Sequence, residues 1–270
     1  SVFFKPLSAD LGLSRAETSL AAAIARLEGG IEAPLTGWLA DKFGPRMVIL
    51  IGTCVTIISL ALMYFINSLG TFILVWGILA IGHNLAYTIA DDKAITNWFI
   101  RKRGLALGIR FVLWGLGGII VLPIATWLVT TQGWRMSNVI WSMVMVPTLL
   151  LVWLFIKPKR PEYYGLLPDG ATVEEGTVDT SRMIDRGVKY AAETEEVEFT
   201  LRQALKTRSY WMLLIGWSSG MIVMGGIGIH VIPFLTDMGI DPITAAGMMA
   251  IVQFFTIPSR ALGGFFADHI

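Results

Sequence analysis

The stretch Gly37-Trp38-Leu39-Ala40-Asp41-Lys42-Phe43-Gly44-Pro45-Arg46 is a short charged turn between two long apolar segments. A shorter copy, Gly264-Phe265-Phe266-Ala267-Asp268-His269-Ile270, follows another apolar run at the end of the sequence. Both copies have the form Gly-x-x-Ala-Asp followed by a residue that can carry positive charge. Either copy alone is compatible with an ordinary helix stop, but the repetition indicates a chain built from two homologous halves.

The composition is that of a membrane protein. The chain is 54% hydrophobic, has 15% charged residues and a mean hydropathy of +0.65, whereas soluble domains carry about 25% charged residues. The formal net charge of +1 gives no reason to expect a nucleic-acid partner. The single cysteine, Cys54, excludes a disulfide within the chain.

Apolar runs predict the membrane spans, since a membrane helix needs about 20 mostly apolar residues. Met47 to Ala90 contains no Asp, Glu, Lys or Arg and fits two spans separated at residues 67–70. Residues 1–12 are expected to end an earlier helix. The predicted fold is an all-α polytopic helix bundle with spans near 17–40, 46–66, 71–98, 104–129, 136–156, 210–235 and 242–267.

Basic residues are distributed unevenly between the loops. One side of the predicted bundle has Lys42 and Arg46, the run 101–103 and the run 157–160, and the other has only Lys5, Arg15 and Arg135. Because cytoplasmic loops carry an excess of Lys and Arg, the first side is predicted to be cytoplasmic.

Residues 158–208 form a polar, charged segment between the apolar halves. The expected division is a first half at 1–157, a cytoplasmic linker at 158–208 and the start of a second half at 209–270. The linker's composition predicts partial disorder or loose helix, and a solvated tether is favoured over a regulatory segment.

Charged residues also occur inside the predicted spans, where each costs at least roughly 2.5–3.5 kcal/mol and therefore indicates function. Glu32, Asp92, Arg110 and Arg260 come from four different spans. Counted along each helix, all four lie about 10–14 Å from the basic boundary. Four charges at one depth predict a polar, partly hydrated cavity between the helices.

The third span adds a polar stripe, since His83, Tyr87 and Asp91 recur at intervals of four residues. With Arg110 and Arg260, these residues are the predicted substrate-binding set, and Arg260 is the first candidate because no acidic residue in its own span can neutralise it. Two alternatives remain open. Arg110 can be neutralised by Asp91 or Asp92, and His83 can be a packing residue instead of a proton relay.

The pattern Gly37-x-Leu39-Ala40-Asp41-Lys42-x-Gly44-x-Arg46 resembles the signature loop between helices two and three of the major facilitator superfamily. Gly264 to Asp268 resembles its counterpart after helix eight, so the seven spans would be helices two to eight of twelve. Within the superfamily, the stretches 2–7, 98–108 and 260–263 resemble monocarboxylate transporters and bacterial oxalate/formate antiporters.

The resemblance implies a secondary transporter in the cell membrane that moves a small organic anion such as a monocarboxylate by alternating access, either with protons or in exchange for another anion. Arg260 would bind the substrate carboxylate. Thr256 stands where the animal relatives have an aspartate, so Asp91, Asp92 and Glu32 become the candidates for proton coupling. The expected partners are the lipid bilayer, the anion, and protons or a counter-anion.

The resemblance also implies a conformational latch in the two charged turns, which would break when the protein opens inward. Its residues are Gly37, Asp41, Lys42, Gly44, Arg46, Gly264 and Asp268.

Three other functions are alternatives to an organic-anion carrier. A carrier for a drug-like cation or a sugar phosphate would have the same fold. An integral-membrane enzyme is disfavoured because the sequence has no metal-ligand cluster, no nucleophile–base pair and no phosphate-binding glycine loop; no cofactor or metal is expected. A sensor would need a signalling domain, which this sequence does not show.

Overall fold

The computed structural model describes residues 3–171, 180–192, 201–240 and single positions or short groups between 244 and 262. All regular structure within these residues is helical, as the sequence predicts. Nine α-helices have full bounds: α1 Phe4–Leu11, α2 Arg15–Phe43, α3 Pro45–Leu62, α4 Leu69–Tyr87, α5 Ile89–Thr96, α6 Arg103–Phe155, α7 Thr180–Ala192, α8 Leu201–Ala204 and α9 Arg208–Asp237.

Local capping residues fix the starts of the first long helices. Ser14 begins α2 with a capping box in which its hydroxyl accepts from the Glu17 N–H while the Glu17 carboxylate accepts from Ser14 N–H. Ser68 and Thr71 form a similar box at the start of α4. The predicted break at 67–70 is therefore confirmed.

The predicted span 71–98 is interrupted, which corrects the expectation of one continuous helix. Thr88 has φ −120° and ψ −105°, so α4 ends at Tyr87 and α5 begins at Ile89. The Thr88 hydroxyl donates to the Asn84 carbonyl, four residues earlier. This contact competes with the helical ladder and bends helices. The break places Asp91 and Asp92 in the first turn of α5, where the helix dipole favours negative charge.

Helix α6 comprises two spans in a single assignment. Its 53 residues correspond to about 80 Å of helix, whereas the hydrocarbon layer is about 30 Å thick. Gly133 interrupts the helix with φ 77° and ψ 162°, a conformation that glycine adopts without a steric penalty. The loop predicted between spans 104–129 and 136–156 is thus reduced to one non-helical residue.

Two glycines bring α3 and α4 into close contact. A Cβ on Gly52 would lie 2.5 Å from the Ala86 nitrogen, and one on Gly82 would lie 2.7 Å from the Thr56 nitrogen. Small residues at such a crossing allow membrane helices to approach at the backbone. This contact fixes α4, and with it the polar stripe, against α3.

The outer surface is apolar, as expected for a bundle in lipid. Three helical segments among the described residues are long and apolar enough to cross a membrane: Pro45–Phe65, Leu69–Thr96 and Arg103–Phe155. Large side chains such as Leu113, Ile120 and Trp127 on α6 are more than 60% exposed. The chain is therefore a multi-pass membrane protein.

The described part of the linker is folded. It contains the 3-10 turns Pro161–Tyr164 and Pro168–Gly170 followed by α7. Glu162 is buried, and its carboxylate lies against Gly187 of α7, where an added Cβ would meet Glu162 Oε1 at 2.5 Å. This part of the linker is therefore folded, whereas its composition favoured a solvated tether. The division into 1–157, 158–208 and 209–270 stays a prediction.

Candidate functional site

The Arg110 site consists of Arg110, Asp91, Asp92 and the Tyr87 carbonyl. Arg110 Nε donates to Asp91 Oδ2 at 2.6 Å, and Nη2 donates to the Tyr87 carbonyl oxygen at 2.7 Å. Nη1 lies 2.8 Å from Asp92 Oδ1 as an ion pair without hydrogen-bond geometry. The side chain of Arg110 is only 15% exposed, so the cation is held within the bundle.

The helix break at Thr88 creates this site. The last carbonyl groups of a helix have no partner within it, so ending α4 at Tyr87 makes the Tyr87 carbonyl available to Arg110. The same break starts α5 with Asp91 and Asp92 in its first turn. One irregularity therefore supplies all three acceptors that face the guanidinium.

The charges of the Arg110 site do not balance. Two carboxyl groups face one guanidinium, which gives a formal charge of −1 when both are counted as carboxylates. A guanidinium has five N–H donors, and the hydrogen bonds of Arg110 within the described part of the chain use two of them. The guanidinium therefore has N–H donors available for an incoming acceptor. The site also has one carboxylate more than is required to neutralise the guanidinium.

A cavity of about 220 Å³ adjoins the guanidinium. It is lined by four of the five predicted substrate-binding residues, His83, Tyr87, Asp91 and Arg110, together with Trp114. The His83 and Tyr87 rings are 5.4 Å apart. Trp114 was not predicted, although its position one helical turn after Arg110 indicates the same face.

Glu32 has a different partner. It is buried, and its Oε2 accepts from Asn84 Nδ2 at 3.2 Å, whereas Arg110 holds Asp91 and Asp92. Of the four charges predicted at one depth, Glu32 contacts α4, whereas Asp92 and Arg110 face each other between α5 and α6. Arg260 lies outside the described residues, so the convergence of all four stays a prediction. The proposed proton-coupling role of Glu32, Asp91 and Asp92 stays a prediction.

The turn at Gly37 to Arg46 joins several elements at one end of the bundle, here called the basic end because Arg46 and the runs 101–103 and 157–160 lie there. Asp41 forms an ion pair with Lys93 of α5. Arg46 Nη2 donates to the Trp153 carbonyl at 2.5 Å, and its guanidinium lies 3.7 Å from the centre of the Trp153 ring. Asp41 thus has a basic partner on another helix, and the role of the turn as a conformational latch stays a prediction.

The other residues of this turn have local roles. Gly44 has φ 82°, and a Cβ there would lie 2.8 Å from the Pro158 carbonyl oxygen. Gly37 is less constrained, since a Cβ would meet Ile89 Cγ2 at 3.9 Å. The Lys42 ammonium lies 4.9 Å from the centre of the Trp38 ring.

A linker carboxylate binds the connection directly before α6, which sequence reasoning did not find. Asp169 accepts from three successive backbone N–H groups, those of Ile100 at 3.1 Å, Arg101 at 2.9 Å and Lys102 at 3.1 Å, and from the Tyr190 hydroxyl at 3.1 Å. Partial burial raises the pKa of Asp169, but these hydrogen bonds outweigh it and leave the pKa below its ordinary value. The only sequence signal is the Pro-Asp-Gly turn, which does not reveal a partner about 67 residues away.

A second arginine cluster, the Arg135 clamp, lies at the opposite end of the bundle. Arg135 pairs with Asp10, and its Nη2 donates to the Ile66 carbonyl at 2.9 Å. Trp134 Nε1 donates to the same Asp10 carboxylate at 3.2 Å. The clamp joins α1, the α3–α4 connection and the second part of α6.

Three predicted residues lie outside the described residues: Arg260, Gly264 and Asp268. The predicted span 242–267 is described only at scattered positions, which are helical, Thr256 among them. The substrate role of Arg260 and the second latch therefore remain predictions.

Comparison with known proteins identifies the family. The profile of the Major Facilitator Superfamily matches residues 1–270. The chain belongs to the major facilitator superfamily. The fold agrees, since a solved structure of the proton:xylose symporter XylE bound to 6-bromo-6-deoxy-D-glucose superposes with a TM-score of 0.64 over 98% of this chain and 64% of that chain, at 16% identity.

The curated relatives include anion transporters. The chain is 22% identical to the oxalate:formate antiporter of Oxalobacter formigenes over 276 residues, covering 100% of this chain and 59% of the antiporter. It is 24% identical to monocarboxylate transporter 13 of Bos taurus, covering 100% of this chain and 57% of that protein. A probable sulfoacetate transporter, SauU of Cupriavidus necator, is 32% identical over 124 residues, covering 46% of this chain and 29% of that protein.

These comparisons confirm the predicted superfamily and the resemblance to the oxalate/formate and monocarboxylate groups. The named relatives are transporters rather than enzymes, as the sequence predicted for this chain. The chain spans 57–59% of the length of the two relatives that it matches throughout.

Proposed function

We propose that this chain is part of a secondary transporter that carries a small organic anion across the cell membrane by alternating access. The observation that carries the proposal is the Arg110 site, a nearly buried guanidinium with unused donors beside a cavity. An arginine stays charged and presents a planar fork that matches carboxylates. A carboxylate that enters the cavity would accept from the donors that Asp91 and Tyr87 leave available.

A substrate with two acidic groups fits best. Arg110 would bind one group, and Arg260, predicted at the same depth in another span, would bind the second. Two of the relatives are named for oxalate and sulfoacetate, and each of these anions carries two acidic groups. His83, Tyr87 and Trp114 would then enclose the body of the anion between them.

The surplus carboxylate supports coupling to protons. An anion bound at Arg110 would face both Asp91 and Asp92, and like charges this close repel strongly in a medium of low dielectric constant. Protonation of one aspartate removes that repulsion, so the proton and the anion bind together. Asp92 is the first candidate because its side chain is 44% exposed and makes the weaker contact with Arg110. Exchange of one anion for another is the alternative mode.

The basic end is proposed to be cytoplasmic, from the excess of Lys and Arg there. The Asp41–Lys93 pair would be part of a latch that holds this end closed while the protein opens outward. Gly264 and Asp268 would supply the equivalent contact in the second half.

Uptake by the full-length protein in proteoliposomes tests the proposal. Radiolabelled oxalate, formate, lactate, sulfoacetate and xylose are compared, with and without an inward proton gradient. We expect uptake of one or more of the anions and none of xylose, and loss of anion uptake in Arg260→Ala without loss of membrane insertion. Uptake of xylose alone would contradict the proposal, and unchanged uptake in Arg260→Ala would remove Arg260 from the site.

A further inference from the structure

The Asp169 clasp, defined as Asp169 with the backbone N–H groups of residues 100–102 and the Tyr190 hydroxyl, lies at the start of the helix that carries Arg110. Residues 100–102 belong to the connection between α5 and α6 and lead directly into the first turn of α6, which begins at Arg103. Lys102, the residue before α6, makes no side-chain capping hydrogen bond. Asp169 holds the backbone of this connection from the linker.

The backbone conformation of Asp169 is unusual for a residue other than glycine. Asp169 has φ 59°, the one positive φ at a non-glycine residue in the described part of the chain. Its own N–H donates to the Trp98 carbonyl at 2.9 Å, so the residue contacts both sides of the α5–α6 connection. The Arg101 guanidinium lies 4.3 Å from the centre of the Tyr190 ring, which closes the clasp over α7.

Few side chains at the start of α6 are buried against the described part of the chain. Between Arg103 and Pro123, the fully buried residues are Gly108 and Gly115, which have no side chains to pack. The polar contacts of this stretch include the clasp just before its first turn and Arg110 two turns later. Residues seven positions apart on a helix are separated by about 10 Å along its axis, so a displacement of the start carries directly to Arg110.

We propose that Asp169 is a positioning residue for Arg110, through which the linker holds the anion site in its binding geometry. Asp169 does not contact the cavity. It fixes the first turn of α6 so that the guanidinium meets Asp91, Asp92 and the Tyr87 carbonyl together. The effect on transport rests on the anion-carrier function proposed above, whereas the effect on α6 does not.

Hydrogen exchange on the full-length protein tests the effect on α6 without a substrate. Asp169→Gly keeps the positive φ without strain and removes the carboxylate, Asp169→Asn keeps an acceptor without the charge, and Asp185→Asn is the control because Asp185 is exposed on the same linker. We expect amides 100–110 to exchange roughly tenfold faster in Asp169→Gly, since hydrogen bonds to a charged group are among the strong ones. Asp169→Asn should be intermediate and Asp185→Asn unchanged. Faster exchange confined to residues 100–102 would overturn the proposal.

A double-mutant cycle tests the effect on the site. We expect Asp169→Gly to raise the KM for the transported anion about tenfold in the wild-type background and less than about twofold in the Arg110→Lys background, because coupled residues are not additive. Equal effects in both backgrounds would show a merely structural role and overturn the proposal. If the full-length protein carries no anion, the proposed function fails, and the exchange experiment still decides whether Asp169 holds α6.

Discussion

The Arg110 site and the Arg135 clamp contain the same kind of ion pair with different charge counts. Arg135 faces one carboxylate, Asp10, near the end of the bundle, where a tryptophan and a backbone carbonyl complete the contacts. Arg110 faces two carboxylates within a span, beside a cavity. In the Arg135 clamp the formal charges cancel, and the ion pair joins helices at the end of a span. In the Arg110 site they do not cancel, and a charged cluster at membrane depth is suited to bind and release an anion or a proton.

The largest expected effect comes from Arg110→Gln, which keeps polarity and removes the charge. We expect anion uptake to fall by at least about 100-fold, because a hydrogen bond to a charged group contributes about 1.5–3 kcal/mol and the substrate would lose two. Uptake per inserted protein in proteoliposomes measures this. Arg135→Gln is the matched control and should retain uptake. Equal losses of anion uptake in the two variants would contradict the assignment of substrate binding to the Arg110 site and of a structural role to the Arg135 clamp.

Asp92→Asn should convert the Arg110 site into a balanced pair like the clamp. We expect anion uptake to lose its dependence on the proton gradient while exchange of internal for external anion continues within about threefold of wild type, since only the surplus charge is removed. Paired measurements of gradient-driven uptake and exchange test this. Gradient-driven uptake that persists in Asp92→Asn would move the proton site to Asp91 or Glu32.

For the Arg135 clamp, the expected effect is on stability. Asp10→Asn weakens the contacts to Arg135 and Trp134, which are partly exposed, so a loss of about 1–2 kcal/mol is expected. A fall of a few degrees in the apparent melting temperature of the full-length protein in detergent, with KM unchanged, would show this. A raised KM with an unchanged melting temperature would place the clamp in the transport mechanism instead.

The smallest expected effect is that of pH on the Asp169 clasp. Because the folded pKa of Asp169 lies below its ordinary value of 3.8, the carboxylate stabilises the fold above that pH and loses this effect only as pH falls through the lower, folded pKa. Exchange of amides 100–102, corrected for intrinsic rates, should therefore not change between pH 5 and 8. A change in that interval would show that Asp169 gains or loses a proton between pH 5 and 8, which would contradict its role as a permanently charged positioning residue.

Much of the helical framework follows from the sequence because lipid imposes simple rules. The caps at Ser14 and Ser68, the end of the second helix at Gly44 and the long spans are all local or compositional features. The break at Thr88 could not be predicted, since the hydroxyls of Thr56 and Thr126 make the same contact four residues back without interrupting their helices. Gly133 likewise leaves one non-helical residue where composition predicted a longer loop.

The site was predictable to the extent that helical periodicity sets it. The spacing of His83, Tyr87 and Asp91 predicted one polar helix face, and the depth of Arg110 predicted the same level in the bundle; all four residues line the cavity. Contacts over long sequence separations left no such pattern. The Asp169 clasp and the Arg135 clamp join residues about 67–69 and 124–125 positions apart, and each depends on how the chain returns to the same end of the bundle.

Equilibrium binding of radiolabelled oxalate to the purified full-length protein tests the central claim most directly, because it needs neither a gradient nor a complete transport cycle. Wild type and Arg135→Gln are expected to bind oxalate with similar affinity, and binding is expected to be lost in Arg110→Gln. Oxalate binding that survives in Arg110→Gln with unchanged affinity would contradict the assignment of the Arg110 site as the anion site.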